Sequence, residues 1–192
     1  MRRKLARAFY DRDSLVVAPA LLNKVLVVGG RSGRIVEVEA YRGVDDPASH
    51  AGRGPTPRSA IMFGPPGRLY VYFSYGMHWC ANVVCDRAGV GSAVLIRALA
   101  PLTGVNAMRV ARGSPRSERE LCSGPAKLTQ ALGLDGAHNG IDLAARGAPV
   151  TIVDDRVAPP EDPVVTTRVG ISVAVEAPWR WYVPKDPNVS RR

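Results

Sequence analysis

The sequence predicts a single mixed α/β domain of the α+β kind, built from antiparallel hairpins with short helices around them. Three observations point there. Residues 24–41 read as a strand, a glycine-rich turn and a second strand; residues 69–85 repeat that pattern; and the apolar run Ser92 to Leu99 is followed by two stretches with helix signals. The 192 residues are long enough to bury a proper core, and neither an internal repeat nor a linker-like stretch divides them, so residues 1–192 are read as one domain.

The second arm of the first hairpin organises the chain. In Arg34-Ile35-Val36-Glu37-Val38-Glu39-Ala40-Tyr41, alternation sends Val36, Val38 and Ala40 to one face and Glu37, Glu39 and Tyr41 to the other. Neighbours on one strand face lie roughly 6.6 Å apart. Two carboxylates and a phenol at that spacing can disturb each other's protonation and suit acid/base work on a bond. The same alternation also describes an ordinary half-exposed strand with glutamates on its wet side.

Charge narrows the partner. Lys+Arg 26 against Asp+Glu 17 gives a formal net charge of +9, which favours a polyanion, nucleic acid ahead of an anionic membrane surface. The cysteines, Cys80, Cys85 and Cys122, are odd in number and form no CxxC pair, which argues against a disulfide framework or structural zinc and for a reducing compartment. With no basic-then-apolar leader and no apolar run of membrane-spanning length, a soluble cytoplasmic protein is expected.

Residues 1–13 read as a mobile basic terminus, with Asp13 or Ser14 capping a short helix that Pro19 must enter near its start or interrupt. Gly29 to Gly33 reads as the first hairpin's turn. The stretch Arg42 to Ala60 has no apolar period and is long for an idle connection; it holds His50, Arg53, Thr56 and Arg58, groups that contact phosphates and bases well. After the turn at Pro65-Pro66-Gly67, Leu69 to Tyr75 alternates with Tyr70 and Tyr72 on one face, and Met77 to Cys85 returns carrying Trp79 and Asn82. Such a hairpin commonly buries its aromatics as cross-strand pairs. Tyr75 and Met77, however, fall at the tip, where burial is hardest, and on a basic protein they suit a wedge that enters a stack of bases.

Arg97 sits inside an apolar run and therefore needs a partner, for which Glu37 and Glu39 are the candidates; the other reading places it on a sheet edge in solvent. Thr103 to Arg112 reads as a helix. Ser123-Gly124-Pro125-Ala126-Lys127 has the order of a helix start, whose amides and lysine suit phosphate, with Leu128, Ala131 and Leu132 on an apolar face and Gly133 at the end. Val150 to Val153, Arg168 to Val173 and Arg180 to Val183 read as the remaining strands.

With these residues laid out, the sequence resembles the alkyladenine (3-methyladenine) DNA glycosylase family over roughly Ser14 to Val183, as a bacterial member. The resemblance is carried by Arg34 to Tyr41, Thr56-Pro-Arg58, Gly67-Arg-Leu-Tyr-Val-Tyr72, Tyr75-Gly-Met77 with Asn82, Val94-Leu-Ile-Arg-Ala-Leu99 and Glu120-Leu-Cys-Ser-Gly-Pro-Ala-Lys127, in their order and spacing. It implies a curved antiparallel sheet that holds the active site and a protruding hairpin that probes the minor groove. The residues matching Tyr41, His50 and Tyr72 sandwich an extruded purine, with Ala48, Asn82 and Leu95 completing the pocket, and Asn82 matching a gate against normal guanine. Tyr75 matches the residue that fills the gap left in the duplex. Glu39 matches the group that deprotonates a water, assisted by Arg97, while Met77, Thr56, Arg58 and Lys127 match DNA contacts; Glu37 matches no assigned role.

The resemblance thus implies hydrolysis of the N-glycosidic bond of damaged purines in double-stranded DNA, leaving an abasic site. The damaged purines are of the 3-methyladenine, 7-methylguanine, hypoxanthine and ethenoadenine class. No lysine stands on the carboxylate face to form a Schiff base, so no strand cleavage is expected, and no cofactor or metal is called for. A monomer in the cytoplasm, associated with the nucleoid, is expected. Two other readings compete. A damage-binding protein on the same scaffold would not need both Glu39 and Arg97, and a phosphate-binding metabolic enzyme would need a glycine-rich strand-to-helix loop that none of the glycine clusters forms.

Overall fold

In the computed structural model, which describes residues 2–190, all strands among the described residues join one antiparallel sheet that curls into a half-barrel. The chain begins inside this sheet. Strand β1 (Arg3–Lys4) pairs with residues 153–154, Leu5 is buried, and helix α1 (Arg7–Tyr10) drives Tyr10 fully into the core. Residues 2–13 are therefore not a mobile terminus; Met1 lies outside the described residues. The basic residues that suggest solvation are tied down: Arg7 reaches Asp142 at 2.5 Å and the Pro66 carbonyl at 2.7 Å. Leu5 and Tyr10 supply the apolar anchor between them. Gly67 makes room for this, because a Cβ there would come within 2.9 Å of the Tyr10 ring.

Helix α2 (Ser14–Leu21) starts at Asp13, whose carboxylate accepts from the Leu15 amide at 2.8 Å, and it accommodates Pro19 inside the helix. Strands β2 (Val25–Val28) and β3 (Arg31–Arg42) follow as the expected hairpin, with the turn confined to Gly29-Gly30 and Arg31 to Gly33 already paired. Beyond the long loop come β4 (Leu69–Ser74) and β5 (His78–Cys85), then β6 (Ser92–Thr103). Helices α3 (Val105–Ala111), α4 (Arg119–Cys122) and α5 (Pro125–Leu132) pack behind the sheet, the last burying Leu128, Ala131 and Leu132. Strand β7 (Val150–Asp154) completes the order β1-β7-β2-β3-β6-β5-β4, and β8 (Val164–Thr166) and β9 (Arg180–Tyr182) branch from it, β9 pairing both β3 and β8. No helix among the described residues is long and apolar enough to cross a membrane.

β3 and β6 run antiparallel over most of their lengths, and each carries one extra residue near the middle. Ile35 pairs with Leu99, Glu37 with Ala98 and Val38 with Ile96, so Val36 and Arg97 are both skipped. A bulge re-aims side chains and reverses the alternation across it. The main hydrophobic cluster accordingly takes Ile35, Val38 and Ala40 from β3, while Val36, also fully buried, lies outside it at the bulge. The opposite face is not wet: Arg97, Arg180 and Ser190 bond to Glu37 there, and Glu37 and Glu39 are both 0% exposed.

One further expectation changes. Residues 168–173 form no strand, because the Val169 amide is given to the Glu39 carboxylate at 2.8 Å instead of to a neighbouring strand. α5 starts as expected, with Gly124 at its cap position. The tip of the β4–β5 hairpin is a tight turn in which Tyr75 (φ 50) and Gly76 (φ 64) both take left-handed conformations, the pattern of the hairpin turn that matches strand twist. It leaves Tyr75 79% and Met77 75% exposed.

Tyr10 tests the packed N-terminus. Tyr10→Ala is expected to lower the unfolding free energy by about 3–5 kcal/mol in urea denaturation. Tyr10→Phe removes a hydroxyl that has no hydrogen-bond partner among the described residues and should change it by less than about 1 kcal/mol. An unaffected Tyr10→Ala variant would contradict the arrangement.

Candidate active site

The two bulges place Arg97 opposite both glutamates. Its Nε donates to Glu37 Oε1 at 2.8 Å, its Nη1 lies 3.1 Å from Glu39 Oε1, and its Nη2 donates to Ser190 Oγ at 3.3 Å. Arg97 is 6% exposed, so this is the buried, partnered arginine and not a sheet-edge one. Glu37 is saturated: besides Arg97 it accepts from Arg180 Nε at 2.8 Å, Ser190 Oγ at 2.9 Å and the Ser190 amide at 2.7 Å. Glu39 Oε1 also accepts from the Val169 amide, and its Oε2 accepts from the Tyr41 hydroxyl at 3.0 Å.

These environments push the two carboxyls apart. Burial raises the pKa of Glu37, but Arg97, the Ser190 amide and Arg180 outweigh it and hold Glu37 below the usual carboxylate value. For Glu39 burial prevails over Arg97, the Val169 amide and the Tyr41 hydroxyl, and the charge of Glu37 adds to it, so the pKa is raised. One strand face therefore carries a firmly ionised carboxylate and a more basic one, the division of roles from which acid/base sites are built.

Above this network opens a cavity of about 980 Å³. Tyr41, Ala48, His50, Tyr72, Asn82, Leu95 and Arg97 line it, with Arg58, Tyr75 and Lys127 also contributing to its wall. Glu39 sits directly behind Tyr41 and Arg97 and does not itself reach the wall; Thr56 and Met77 lie outside the lining. Thr56 is occupied within its loop, its hydroxyl 2.9 Å from that of Ser59.

The aromatic wall is braced by hydrogen bonds. His50 and Tyr72 meet edge to face with centroids 4.5 Å apart, and Tyr70 lies 5.2 Å from Tyr72. His50 Nδ1 is 2.9 Å from the Tyr70 hydroxyl, and burial, with the nearby Arg58 charge, lowers its pKa and keeps it neutral. Asn82 donates to the Tyr70 carbonyl at 3.1 Å, which fixes its amide at the cavity wall. The exposed Arg58 lies over the Tyr72 ring at 4.8 Å. Lys127, in the first turn of α5, is 3.4 Å from Ser123 Oγ.

Several residues of the site escape the sequence reading. Arg168 is buried between the rings of Tyr41 and Trp179, at 4.8 and 4.9 Å, and forks onto Asp46 at 2.5 and 2.9 Å. Asp46 in turn accepts from the Ala48 amide at 3.1 Å and the Arg42 amide at 3.2 Å. This pair thus holds the loop bearing Ala48 and His50 against β3. Arg180 and Ser190 close the far side of Glu37. Arg168 stands among Thr166, Thr167 and Gly170, with no apolar run to single it out as one does Arg97, and its partner lies 122 residues away; Ser190 carries no local signal at all.

Residues 8–187 match the model of the family described as methylpurine-DNA glycosylase (MPG). A Burkholderia lata protein is 57% identical over 187 residues, covering 97% of this chain and 90% of its own. A Rhodopseudomonas palustris protein is 55% identical over 188 residues, covering 98% and 91%. A Carboxydothermus hydrogenoformans protein is 50% identical over 192 residues, covering 98% and 99%. Each is named "Putative 3-methyladenine DNA glycosylase".

The saturated carboxylate gives a direct test. Glu37→Gln turns an acceptor of guanidinium bonds into a group that must present an NH₂ to donors, and it removes the negative charge to which Arg97 and Arg180 both bond. The expected loss of stability is about 3–5 kcal/mol, read as a lower urea midpoint. A midpoint equal to that of the natural protein would show that Glu37 is not the anchor described.

Proposed function

Because the chain belongs to the methylpurine-DNA glycosylase family, it is a DNA glycosylase, and we propose that it flips damaged purines out of duplex DNA and hydrolyses their N-glycosidic bonds with a water activated by Glu39. The observation that carries the reading is the buried carboxylate pair held by one guanidinium beneath an aromatic cavity, beside a hairpin whose tip tyrosine is exposed.

A base cannot be attacked inside the stack, and extruding it costs a few kcal/mol, less for a damaged pair. Tyr75, projecting from the hairpin, fills the vacated space in the duplex, and stacking of the purine on Tyr41 and Tyr72, with the neutral imidazole of His50, offsets the cost of extrusion. Asn82, its amide fixed by the Tyr70 carbonyl, crowds the exocyclic amine of normal guanine, while Ala48 and Leu95 shape the remaining wall. Arg58 swings from the cavity mouth to a backbone phosphate, and Lys127, Thr56 and Met77 contact the duplex around it. The formal charge of +9 draws the chain to DNA in general.

As the base leaves, the sugar gains oxocarbenium character, which a nearby carboxylate stabilises. Glu39 Oε2 accepts only the Tyr41 hydroxyl among the described residues, so it keeps a lone pair for a proton from water. That water attacks the anomeric carbon while the electron pair of the broken bond departs with the purine. An alkylated, cationic purine leaves as the neutral base. Arg97 holds Glu39 in place, and Tyr41 both stacks on the purine and fixes the carboxylate. The product is an abasic site in an uncut strand, and the 3-methyladenine, 7-methylguanine, hypoxanthine and ethenoadenine class fits the stacked pocket.

The test is base release from a duplex bearing one hypoxanthine or alkylated purine, under single-turnover conditions, with abasic sites revealed by alkali. The natural protein should release base, and Glu39→Gln should bind the duplex and release base at least about a hundredfold more slowly. Because the base acts in its deprotonated form and its pKa is raised, the rate should climb with pH through an inflection above the usual carboxylate value of 4.5. Tight binding without release by the natural protein, across several lesions, would overturn the hydrolase and leave a damage-binding protein.

A further inference from the structure

Resting on the glycosylase reading, we infer that Ser190 is a positioning residue for Arg97, which makes the C-terminal segment part of the catalytic apparatus. Arg97 has three donor groups and each has a different partner: Nε meets Glu37, Nη1 meets Glu39 and Nη2 meets Ser190 Oγ. A guanidinium held by one carboxylate can pivot about that contact; three separate anchors fix its plane and therefore its aim at Glu39.

Ser190 is the relay in this set. Its hydroxyl donates to Glu37 Oε1 at 2.9 Å and accepts from Arg97 at 3.3 Å, while its own amide donates to Glu37 Oε2 at 2.7 Å. The serine thus touches both members of the buried pair and, like Arg97, contributes to the cavity wall. The segment that delivers it is itself held. After β9, the Val183 amide donates to the Val36 carbonyl at 2.9 Å, at the β3 bulge. Asp186 then accepts from the Asn188 amide at 2.8 Å and from its side chain at 3.0 Å. Val189 follows, 3% exposed, as an apolar peg immediately before the serine. A tail that only covered the sheet would need the peg but not a hydroxyl aimed at two charged groups.

The natural protein, Ser190→Ala and Ser190→Thr are compared for single-turnover base release, duplex affinity and thermal midpoint. Ser190→Ala keeps the backbone amide on Glu37 and loses only the hydroxyl. The inference predicts about a tenfold slower release, equivalent to about 1.4 kcal/mol, with affinity for the lesion duplex within about twofold, since the lost contacts reach Arg97 and not DNA. Ser190→Thr, which restores a hydroxyl, should recover most of the rate. Release by Ser190→Ala at the natural rate would overturn the inference, as would a slowed rate matched by weakened binding or left unrescued by threonine. If instead the natural protein releases no base while binding the duplex, the hydrolase reading itself has failed.

Discussion

Glu37 and Glu39 alternate on one strand, share one face, and are both wholly buried. Leaving such a pair uncompensated would cost several kcal/mol for each charge, and much of the architecture around the site answers that requirement. The bulge on β6 puts Arg97 between them. β9, paired to the same residues of β3, brings Arg180 to Glu37, and the irregular segment after β8 gives up the Val169 amide to Glu39. The chain finally returns to place Ser190 on Glu37. Strand order, bulges and the path of residues 164–190 are thus tied to one electrostatic constraint.

Compensation is unequal, and the inequality is chemically useful. Glu37 receives more donors than it needs and stays ionised, so it serves as a fixed countercharge for Arg97 and Arg180. Glu39 receives fewer and keeps an elevated pKa. A carboxylate that is less fully satisfied is a better base, and it stands behind the ring wall where a flipped purine would stack. A second buried pair, Arg168 with Asp46, does for the wall what Arg97 does for the carboxylates. It stacks behind Tyr41 and pins the loop carrying His50, so the cavity can be formed before any nucleic acid arrives.

Much of this was legible in the sequence where the signal is local. The hairpins, the exposed tip at Tyr75 and Met77, the start of α5 and the need of Arg97 for an acidic partner all follow from patterns a few residues long. The failures share a cause. Alternation cannot announce a bulge, so it sets Val36 on one face with Val38 and Ala40, where Ile35 joins them in the main cluster and Val36, though buried, does not. Basic residues at the N-terminus suggested a free arm because the ion pair of Arg7 with Asp142 spans 135 residues. Residues 168–173 carry strand-like side chains, yet their backbone is spent on a carboxylate 130 residues upstream. Arg168, Arg180 and Ser190 are set by contacts of this long range, and no local pattern encodes them.

The proposed hydrolysis requires Glu39 and Arg97 to act as one unit. A double-mutant cycle tests it most directly, using Glu39→Gln, Arg97→Lys and the pair in single-turnover base release, with thermal midpoints confirming that each variant folds. Lysine keeps the charge and loses the fork that meets both glutamates. If the residues work together, Arg97→Lys slows the natural protein but slows Glu39→Gln no further, because the group it aligns is already gone. If the two losses multiply instead, Arg97 acts independently of Glu39 and the account of a coupled unit is wrong.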